Sequence, residues 1–194
     1  MLRAVFFATR LEAAHVLADK LFGYEQICAE PFRVWRNGKN LIIVTGIGLV
    51  NASLGFAWAA DNFEFSDALN IGAAGATIVD ENAEPDPSIM GRVCNISKAV
   101  CLEPYNGLSF DIADDGERLV TSSRPVETRA DRIAAGRLAP LMDMEGYAFA
   151  RAASIYGKKL SMIKMVTDFS QECDIFANIE KMAVRFAEMR DLWI

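Results

Sequence analysis

Short apolar runs alternate along the chain with longer segments that carry apolar residues at helical spacing. The runs predict strands at residues 2–8, 32–36, 41–45, 68–71, 91–102, 118–121 and 160–167, with a further strand leading into Asp143. The longer segments predict helices at residues 12–22, 49–62, 130–138 and 147–156, and an amphipathic C-terminal helix from Ile175. Strands that helices cover on both faces read as near-continuous apolar runs. The pattern therefore predicts an α/β fold, three-layer α/β/α with a central mixed, largely parallel sheet.

Glycines mark several of the predicted connections. Asn37 and Gly38 separate two of the strands and form the dipeptide that type I′ turns prefer, which predicts a β-hairpin. Gly46 and Gly48 follow the second strand of that hairpin. Residues 72–76, with the sequence GAAGA, are expected to form a tight turn after the strand at 68–71. Two glycine turns at strand ends are therefore expected, and neither alone identifies a ligand.

Acidic side chains follow three of the predicted strands. Glu12 comes after the first strand, Asp143 and Glu145 after a later one, and Asp168 after the strand at 160–167. In open α/β sheets, ligands bind at the carboxyl ends of the strands, so these carboxylates are expected to converge on one site. Alternatively, each of them begins a helix, where the helix dipole favours negative charge. The sequence leaves both interpretations open.

Composition and charge narrow the class of ligand. A length of 194 residues suits one domain spanning 1–194, and a net charge of −6 argues against binding nucleic acid or anionic membranes. No apolar run approaches the ~20 residues that cross a bilayer. The four cysteines are scattered and there is one histidine, which argues against a zinc site or disulfide framework. The glycine turns match neither a dinucleotide fingerprint nor a Walker loop. We expect a cytoplasmic protein that binds a small molecule without metal or cofactor.

Several carboxylates around a sugar suit glycosidic chemistry, in which an acid assists the leaving group and a base activates water. With this chemistry in view, the sequence resembles the nucleoside phosphorylase superfamily, and within it the 5′-methylthioadenosine/S-adenosylhomocysteine nucleosidases and futalosine hydrolases. The resemblance rests on five motifs in the family's order: ATRLEA at 8–13, TGIGLVNA at 45–52, NIGAAGA at 70–76, DMEG at 143–146 and VTD at 166–168. Together they extend from the first strand almost to the last helix.

The resemblance implies roles for individual residues. Asp168 would be the general acid at a ring nitrogen of the base, and Glu12 would hold and deprotonate the attacking water. Glu145 would bind the ribose hydroxyls. The other implied binding residues are Met144 against the sugar, Thr167 beside Asp168, and Gly48, Ala73 and Gly75, whose turns would offer backbone N–H groups. Family members are commonly dimers or larger, and the apolar helix at residues 49–60 is the candidate contact for a homodimer or larger homo-oligomer.

The same resemblance favours hydrolysis of the N-glycosidic bond of a purine nucleoside, with a 5′ modification of the methylthioadenosine, adenosylhomocysteine or futalosine type. The second glycine turn lacks the serine and arginine with which phosphorylases bind phosphate, although Arg10 keeps a phosphorylase as an alternative. A second alternative is a nucleoside-binding homologue without catalysis. Residues 122–125 stand where an aromatic contact to the purine is expected, so the sequence does not identify the base.

Overall fold

The computed structural model describes residues 2–82, 84, 86–103, 107–170 and 173–192. The strands in these ranges are β1 (Leu2–Phe7), β2 (Glu25–Cys28), β3 (Arg33–Arg36), β4 (Asn40–Val44), β5 (Phe65–Ala76), β6 (Val93–Cys101), β7 (Ser109–Asp111), β8 (Glu117–Thr121), β9 (Leu141–Asp143) and β10 (Lys159–Asp168). The helices are α1 (Arg10–Ala18), α2 (Leu49–Asn62), α3 (Arg129–Gly136), α4 (Gly146–Ile155) and α5 (Ile175–Glu188). The predicted mixed α/β fold is confirmed.

All ten strands belong to one sheet, and part of that sheet closes on itself. Strands β4, β1, β5 and β10 are mutually parallel neighbours in that order, and β6, β8 and β9 form a second parallel set. Antiparallel pairings of β10 with β6 and of β5 with β9 join the two sets into a closed ring of β5, β10, β6, β8 and β9. The expected largely parallel arrangement of the sheet is not confirmed. Half of the strand pairings are antiparallel, because β2–β3, β3–β4 and β6–β7 add to those two.

Strand β5 makes the closure possible because it changes partners along its length. Its first half pairs with β1 as far as Asn70, whereas Gly75 and Ala76 pair with β9. Its other edge pairs with β10 from Asp67 to Gly75. A strand of 12 residues is long enough to serve both neighbours. No local hydrophobic pattern specifies such a change of partner.

Strand β1 is buried on both faces, which explains its nearly continuous apolar sequence. Phe6 faces α2 and α4, where its ring lies 5.0 Å from the ring of Phe56 and 5.4 Å from that of Phe149. Phe7 faces the opposite side, and its ring lies 6.2 Å from that of Phe186 on α5. Helix α1 packs against α5 on that side, and α2 packs against α4 on the other. The carboxyl end of β1 is therefore firmly held.

The predicted tight turn at residues 72–76 is wrong, because these residues continue β5 as a strand. The small residues of this stretch allow other side chains to pack closely against the strand, and they do not bend the chain. A Cβ atom at Gly75 would lie 2.6 Å from Met142 Cε and 2.7 Å from Asp168 Oδ2. Gly46 and Gly48 do form the other predicted turn, with φ of 94° and 96°, values that favour glycine.

The predicted hairpin is present, since β3 and β4 pair antiparallel with Arg36 opposite Leu41. Its turn is not type I′. Such a turn needs positive φ at both central residues, and neither Asn37 nor Gly38 has positive φ. Asn37 closes the turn instead: its Oδ1 accepts from the N–H groups of Lys39 and Asn40 at 3.0 and 2.7 Å. An Asx-type turn thus replaces the glycine-dependent one.

Other boundaries differ from expectation for local reasons. Helix α1 begins at Arg10, because Thr9 caps it, and ends at Ala18. Strands β2 and β7 were not predicted, and they are short, largely exposed edge segments without an apolar alternation.

None of the helices in the described ranges combines the length and apolar character needed to cross a membrane. The four cysteines are free thiols.

Candidate active site

A cavity of about 860 Å³ lies at the carboxyl ends of β1, β5 and β10. The predicted site residues that line it are Glu12, Ala73, Gly75, Met144, Glu145, Thr167 and Asp168. Gly48 does not line it but contacts Glu145, as described below. The convergence of the acidic residues differs from expectation in one respect: β9 runs antiparallel to β5, so Asp143 and Glu145 reach the cavity from the opposite direction. A smaller cavity of about 380 Å³, at the other end of β5 and β10, contains none of these residues.

Glu12 lies at the third position of α1 and forms a capping box with Thr9. The N–H and hydroxyl of Thr9 donate to Glu12 Oε2 at 2.7 and 3.0 Å. Glu12 Oε1 accepts from the N–H of Ala73 at 2.9 Å, and a Cβ at Gly72 would lie 2.9 Å from the same oxygen. Glu12 is buried and still lines the cavity. Glu12 therefore both begins a helix and borders the cavity.

Asp143 is the last residue of β9, and both oxygens of its carboxylate accept hydrogen bonds from the protein. Its Oδ2 accepts from Lys164 Nζ at 2.8 Å and from the N–H of Gly146 at 2.8 Å, and its Oδ1 accepts from the Thr121 hydroxyl at 2.7 Å. The side chains of Asp143 and Lys164 are each 1% exposed. Asp143 therefore borders the cavity with both of its oxygens already bound by the protein.

Lys164 lies in the middle of β10 beneath three carboxylates. Burial by itself would lower the pKa of its ammonium group, but Asp143, then Glu145 and Glu12, outweigh that effect, and the pKa is raised. Lys164 therefore stays charged. One sequence feature points to this residue, since Lys164 stands between the apolar residues Ile163 and Met165 of a strand.

Glu145 is the residue immediately before α4, and its side chain faces the cavity. Its Oε1 accepts from the N–H of Gly48 at 2.7 Å. Burial, and after it the charge of Asp143, raises the pKa of Glu145 to about 7, although Lys164 and the Gly48 hydrogen bond act in the opposite direction. Near neutral pH the Glu145 carboxyl therefore exists in both forms, ionised as a hydrogen-bond acceptor and protonated as a hydrogen-bond donor.

Asp168 ends β10 and forms a buried ion pair with Arg132 of α3. Arg132 Nη2 donates to Asp168 Oδ2 at 2.6 Å, and the side chains are 3% and 6% exposed. Asp168 Oδ1 has a longer contact, 3.3 Å, with the hydroxyl of Thr167. Both carboxylate oxygens lie against Gly75, where no larger residue would fit without displacing them. Nothing in the local sequence distinguishes Arg132 from the other charged residues of α3, Arg129 and Asp131.

The rim of the cavity combines polar and apolar groups. Arg124 and Pro125 line it, and Ser122 is buried, so residues 122–125 do border the site without supplying an aromatic ring. Phe176 of α5 also lines the cavity, and it is 63% exposed. Arg10 is exposed and lies outside the lining. An aromatic side chain is therefore available at the rim from an element other than the expected loop.

No family model matches the sequence, and no curated protein sequence matches it. Solved structures do. A 5′-methylthioadenosine/S-adenosylhomocysteine nucleosidase from Colwellia psychrerythraea, in complex with adenine, superposes with a TM-score of 0.82 at 18% identity, covering 99% of this chain and 93% of that one. A mutant of the corresponding nucleosidase from Helicobacter pylori, with 5′-methylthioadenosine in its active site, gives 0.81 at 13% identity, covering 99% and 97%.

A mutant of the futalosine hydrolase of Helicobacter pylori gives a TM-score of 0.79 at 15% identity, covering 98% of this chain and 97% of that one. The chain has the fold of these nucleosidases. The resemblance read from the five motifs is thereby confirmed at the level of fold. At such low identities the nucleosidase fold does not distinguish between the two groups of enzymes or assign an activity.

Proposed function

We propose that this protein is a nucleosidase that hydrolyses the N-glycosidic bond of a purine nucleoside, with a modified 5′ position. The observation that supports it most directly is the grouping of Glu12, Glu145 and Asp168 around one cavity at the carboxyl ends of parallel strands. Two carboxyl groups on either side of a glycosidic bond provide the acid and base that such hydrolysis requires. The fold shared with nucleosidases is consistent with it.

In this proposal Glu12 accepts a proton from the water that attacks the anomeric carbon, and Asp168 acts as the acid toward the leaving base. The bond from water oxygen to carbon forms as the carbon–nitrogen bond breaks; Glu12 takes one proton of the water, and Asp168, protonated in the complex that reacts, gives its proton to a ring nitrogen of the leaving base. Glu145 accepts from the ribose hydroxyls, with Met144 against the sugar. Thr167 supports Asp168. The other binding residues are Ala73 and Gly75 beside the water and base, and Gly48, whose N–H orients Glu145.

Water is favoured over phosphate because the cavity offers an anion no unpaired cation. Among the described residues, the arginines that line it are Arg124 and Arg132. Arg124 pairs with Asp131 at 3.1 Å, and Arg132 pairs with Asp168 at 2.6 Å. Binding a phosphate close to Glu12 would place like charges together without compensation. A phosphate-dependent phosphorylase is therefore the weaker alternative.

The test is release of free base from methylthioadenosine, adenosylhomocysteine, futalosine, inosine and adenosine, each with and without phosphate. We expect release without phosphate, with the free sugar as the second product. A requirement for phosphate, with formation of the sugar 1-phosphate, would identify a phosphorylase. Thermal stabilisation by nucleosides without base release from any of them would identify a binding protein that lacks catalysis.

Glu12→Gln separates the two roles of Glu12. Glutamine retains an oxygen for the capping box, so the helix start should persist. It cannot accept a proton from water, so turnover should fall by about 10²–10⁴-fold. Circular dichroism and the melting temperature provide the structural control. Wild-type turnover in this variant would show that Glu12 is not the base.

We further propose that the protein forms a homodimer or larger homo-oligomer through the outer face of α2. Val50 and Leu54 of this helix are 70% and 57% exposed, and Ile47 just before it is 45% exposed while also lining the cavity. A second copy on this face would cover apolar surface beside the site. Light scattering should give at least a dimer for the wild type and a monomer for Leu54→Glu. A monomeric wild type would contradict the proposal.

A further inference from the structure

Lys164 carries a buried ammonium group that the proposed reaction does not use. Its register partners in the sheet are Gly72 of β5 and Cys94 of β6, a buried cysteine. Nζ pairs with Asp143 Oδ2 at 2.8 Å, and both side chains are 1% exposed. Lys164 is not among the residues that line the cavity. Any part that it has in the reaction therefore acts through the neighbouring carboxylates.

Gly72 allows the ammonium group to come close to Glu12. A Cβ atom at Gly72 would lie 3.5 Å from Lys164 Nζ and 2.9 Å from Glu12 Oε1, so both charged groups lie against this glycine. A side chain at this position would displace the Glu12 carboxylate. Three carboxylates, those of Asp143, Glu145 and Glu12, thus act on one ammonium group.

Glu145 offers one oxygen to a ligand. The N–H of Gly48 donates to its Oε1 at 2.7 Å, whereas its Oε2 has no hydrogen-bond partner among the described residues. A proton on Glu145 would therefore lie on Oε2, where the ribose hydroxyls are proposed to donate. Accepting from those hydroxyls requires the ionised form. Since Glu145 is buried, that form needs a cation nearby.

Lys164 provides this positive charge. Burial and then Asp143 raise the pKa of Glu145, and Glu12 also raises it, whereas Lys164 and the Gly48 hydrogen bond lower it. The two members of the buried ion pair thus act on Glu145 in opposite directions. Loss of Lys164 favours the protonated acid, and loss of Asp143 favours the carboxylate.

We propose that Lys164 is a positioning residue for the reaction: its ammonium group, which Asp143 holds against Gly72, is the counter-ion that keeps Glu145 ionised to accept from the ribose hydroxyls. This inference rests on the proposed function for the class of ligand. Lys164 acts through Glu145 and does not itself contact the nucleoside.

The experiment measures how nucleoside affinity depends on pH. Methylthioadenosine, or whichever other nucleoside tested for turnover binds more tightly, is titrated by calorimetry between about pH 5 and pH 9. The parent protein for this test is Asp168→Asn, which lacks the proposed acid but keeps Lys164 and its three carboxylates. We expect affinity to fall as the pH drops through about 7, where Glu145 becomes protonated. Adding Glu145→Gln should abolish this dependence.

Lys164→Met should raise the midpoint of this pH dependence by at least about one unit, because a neighbouring cation lowers the pKa of a carboxyl by about 1–3. Lys164→Arg retains the charge and should leave the midpoint within about half a unit of the parent value. Asp143→Asn should lower the midpoint. Lys98→Met, which removes the cation paired with the exposed Asp111, is the matched control and should not move it.

The double variant Asp143→Asn/Lys164→Met decides the question if Lys164→Met does not fold. It removes both charges of the ion pair, so neither is left buried without the other, and such a change is often neutral for stability. Its midpoint should lie at least about one pH unit above that of Asp143→Asn. A general loss of stability would instead weaken binding at every pH without moving the midpoint.

The possible outcomes are distinct. An unchanged midpoint on loss of Lys164, in the single variant or between the double variant and Asp143→Asn, overturns the inference, as does an equal rise in Lys164→Arg. Upward shifts that the arginine variant lacks support it. Failure of every nucleoside to bind at any pH overturns the inference and the proposed function together. If the midpoints shift as expected but the wild type releases no base, the proposed hydrolysis is wrong and the role of Lys164 stands.

Discussion

Asp143 and Asp168 are two buried aspartates, each paired with a buried cation, and they differ in what remains for a ligand. Asp143 accepts from Lys164, Gly146 and Thr121 at 2.7–2.8 Å. Asp168 has one contact of that quality, with Arg132, and its other oxygen has a 3.3 Å contact. Both aspartates border the cavity, but the hydrogen bonds of Asp143 are complete without a ligand, whereas Asp168 has acceptor capacity that the protein does not use. Two aspartates that are both buried therefore differ in how far the protein saturates their oxygens.

The most severe test of this contrast is Lys164→Met. It leaves Asp143 as a buried charge without its cation, close to two other carboxylates, and breaking a buried pair in this way costs about 3–5 kcal/mol. We expect a loss of that order in the free energy of unfolding, measured with urea. The matched control is Lys98→Met, whose partner Asp111 is 81% exposed, and the loss there should stay below about 1 kcal/mol. Equal losses in the two variants would remove the basis for calling the Asp143 pair structural.

A second test uses the pH dependence of stability. The pKa of Glu145 rises from 4.5 to about 7 on folding, so the folded protein binds this proton more tightly. The resulting stability is fully present below pH 4.5 and is lost as the pH rises through 7. Its size is roughly 3 kcal/mol at most. Urea unfolding from pH 4 to 9 should show this decline in the wild type relative to Glu145→Gln. Parallel curves for the two proteins would mean that Glu145 is not protonated on folding.

The smallest expected effects come from removing one hydroxyl beside each aspartate. Thr121 donates to Asp143 and also accepts from the N–H of Tyr147 at 2.8 Å, so Thr121→Val should cost about 1–3 kcal/mol of stability. Thr167→Val removes two long contacts of the hydroxyl, 3.3 Å to Asp168 and 3.5 Å to the carbonyl of Ala74, and should cost less than about 1 kcal/mol. We expect it instead to alter turnover several-fold. The reverse order of stability losses would invalidate the contrast between the two carboxylates.

Local sequence patterns predicted the elements whose position depends on an apolar surface or on a capping residue. The apolar sequence of β1 required burial on both faces, and the alanine-rich helix was predicted with the bounds that α2 has, Leu49–Asn62. Closure of the sheet could not be predicted, because it depends on β5 changing partners between Asn70 and Gly75. Distant contacts also explain why GAAGA is a strand: Gly75 makes room for Met142 and Asp168, and neither is adjacent in sequence.

The site was predictable to the extent that its carboxylates follow strands. Glu12, Glu145 and Asp168 were identified in that way, and the structure brings them to one cavity. Arg132 could not be found, since α3 carries two other charged residues and nothing in the local sequence marks Arg132 as the buried one. Its importance follows from the packing of α3 on Ile78, a tertiary contact. The roles of all these residues in catalysis remain predictions.

The capping box of α1 links the order of one helical turn to the chemistry proposed for Glu12. The bonds from Thr9 that begin the helix are the same bonds that orient the carboxylate. Fraying of this first turn, a local event far cheaper than global unfolding, would release the side chain from Ala73 and from the cavity together. On heating, therefore, activity should fade before the cooperative melting transition begins, and turnover would report on the integrity of a helix terminus.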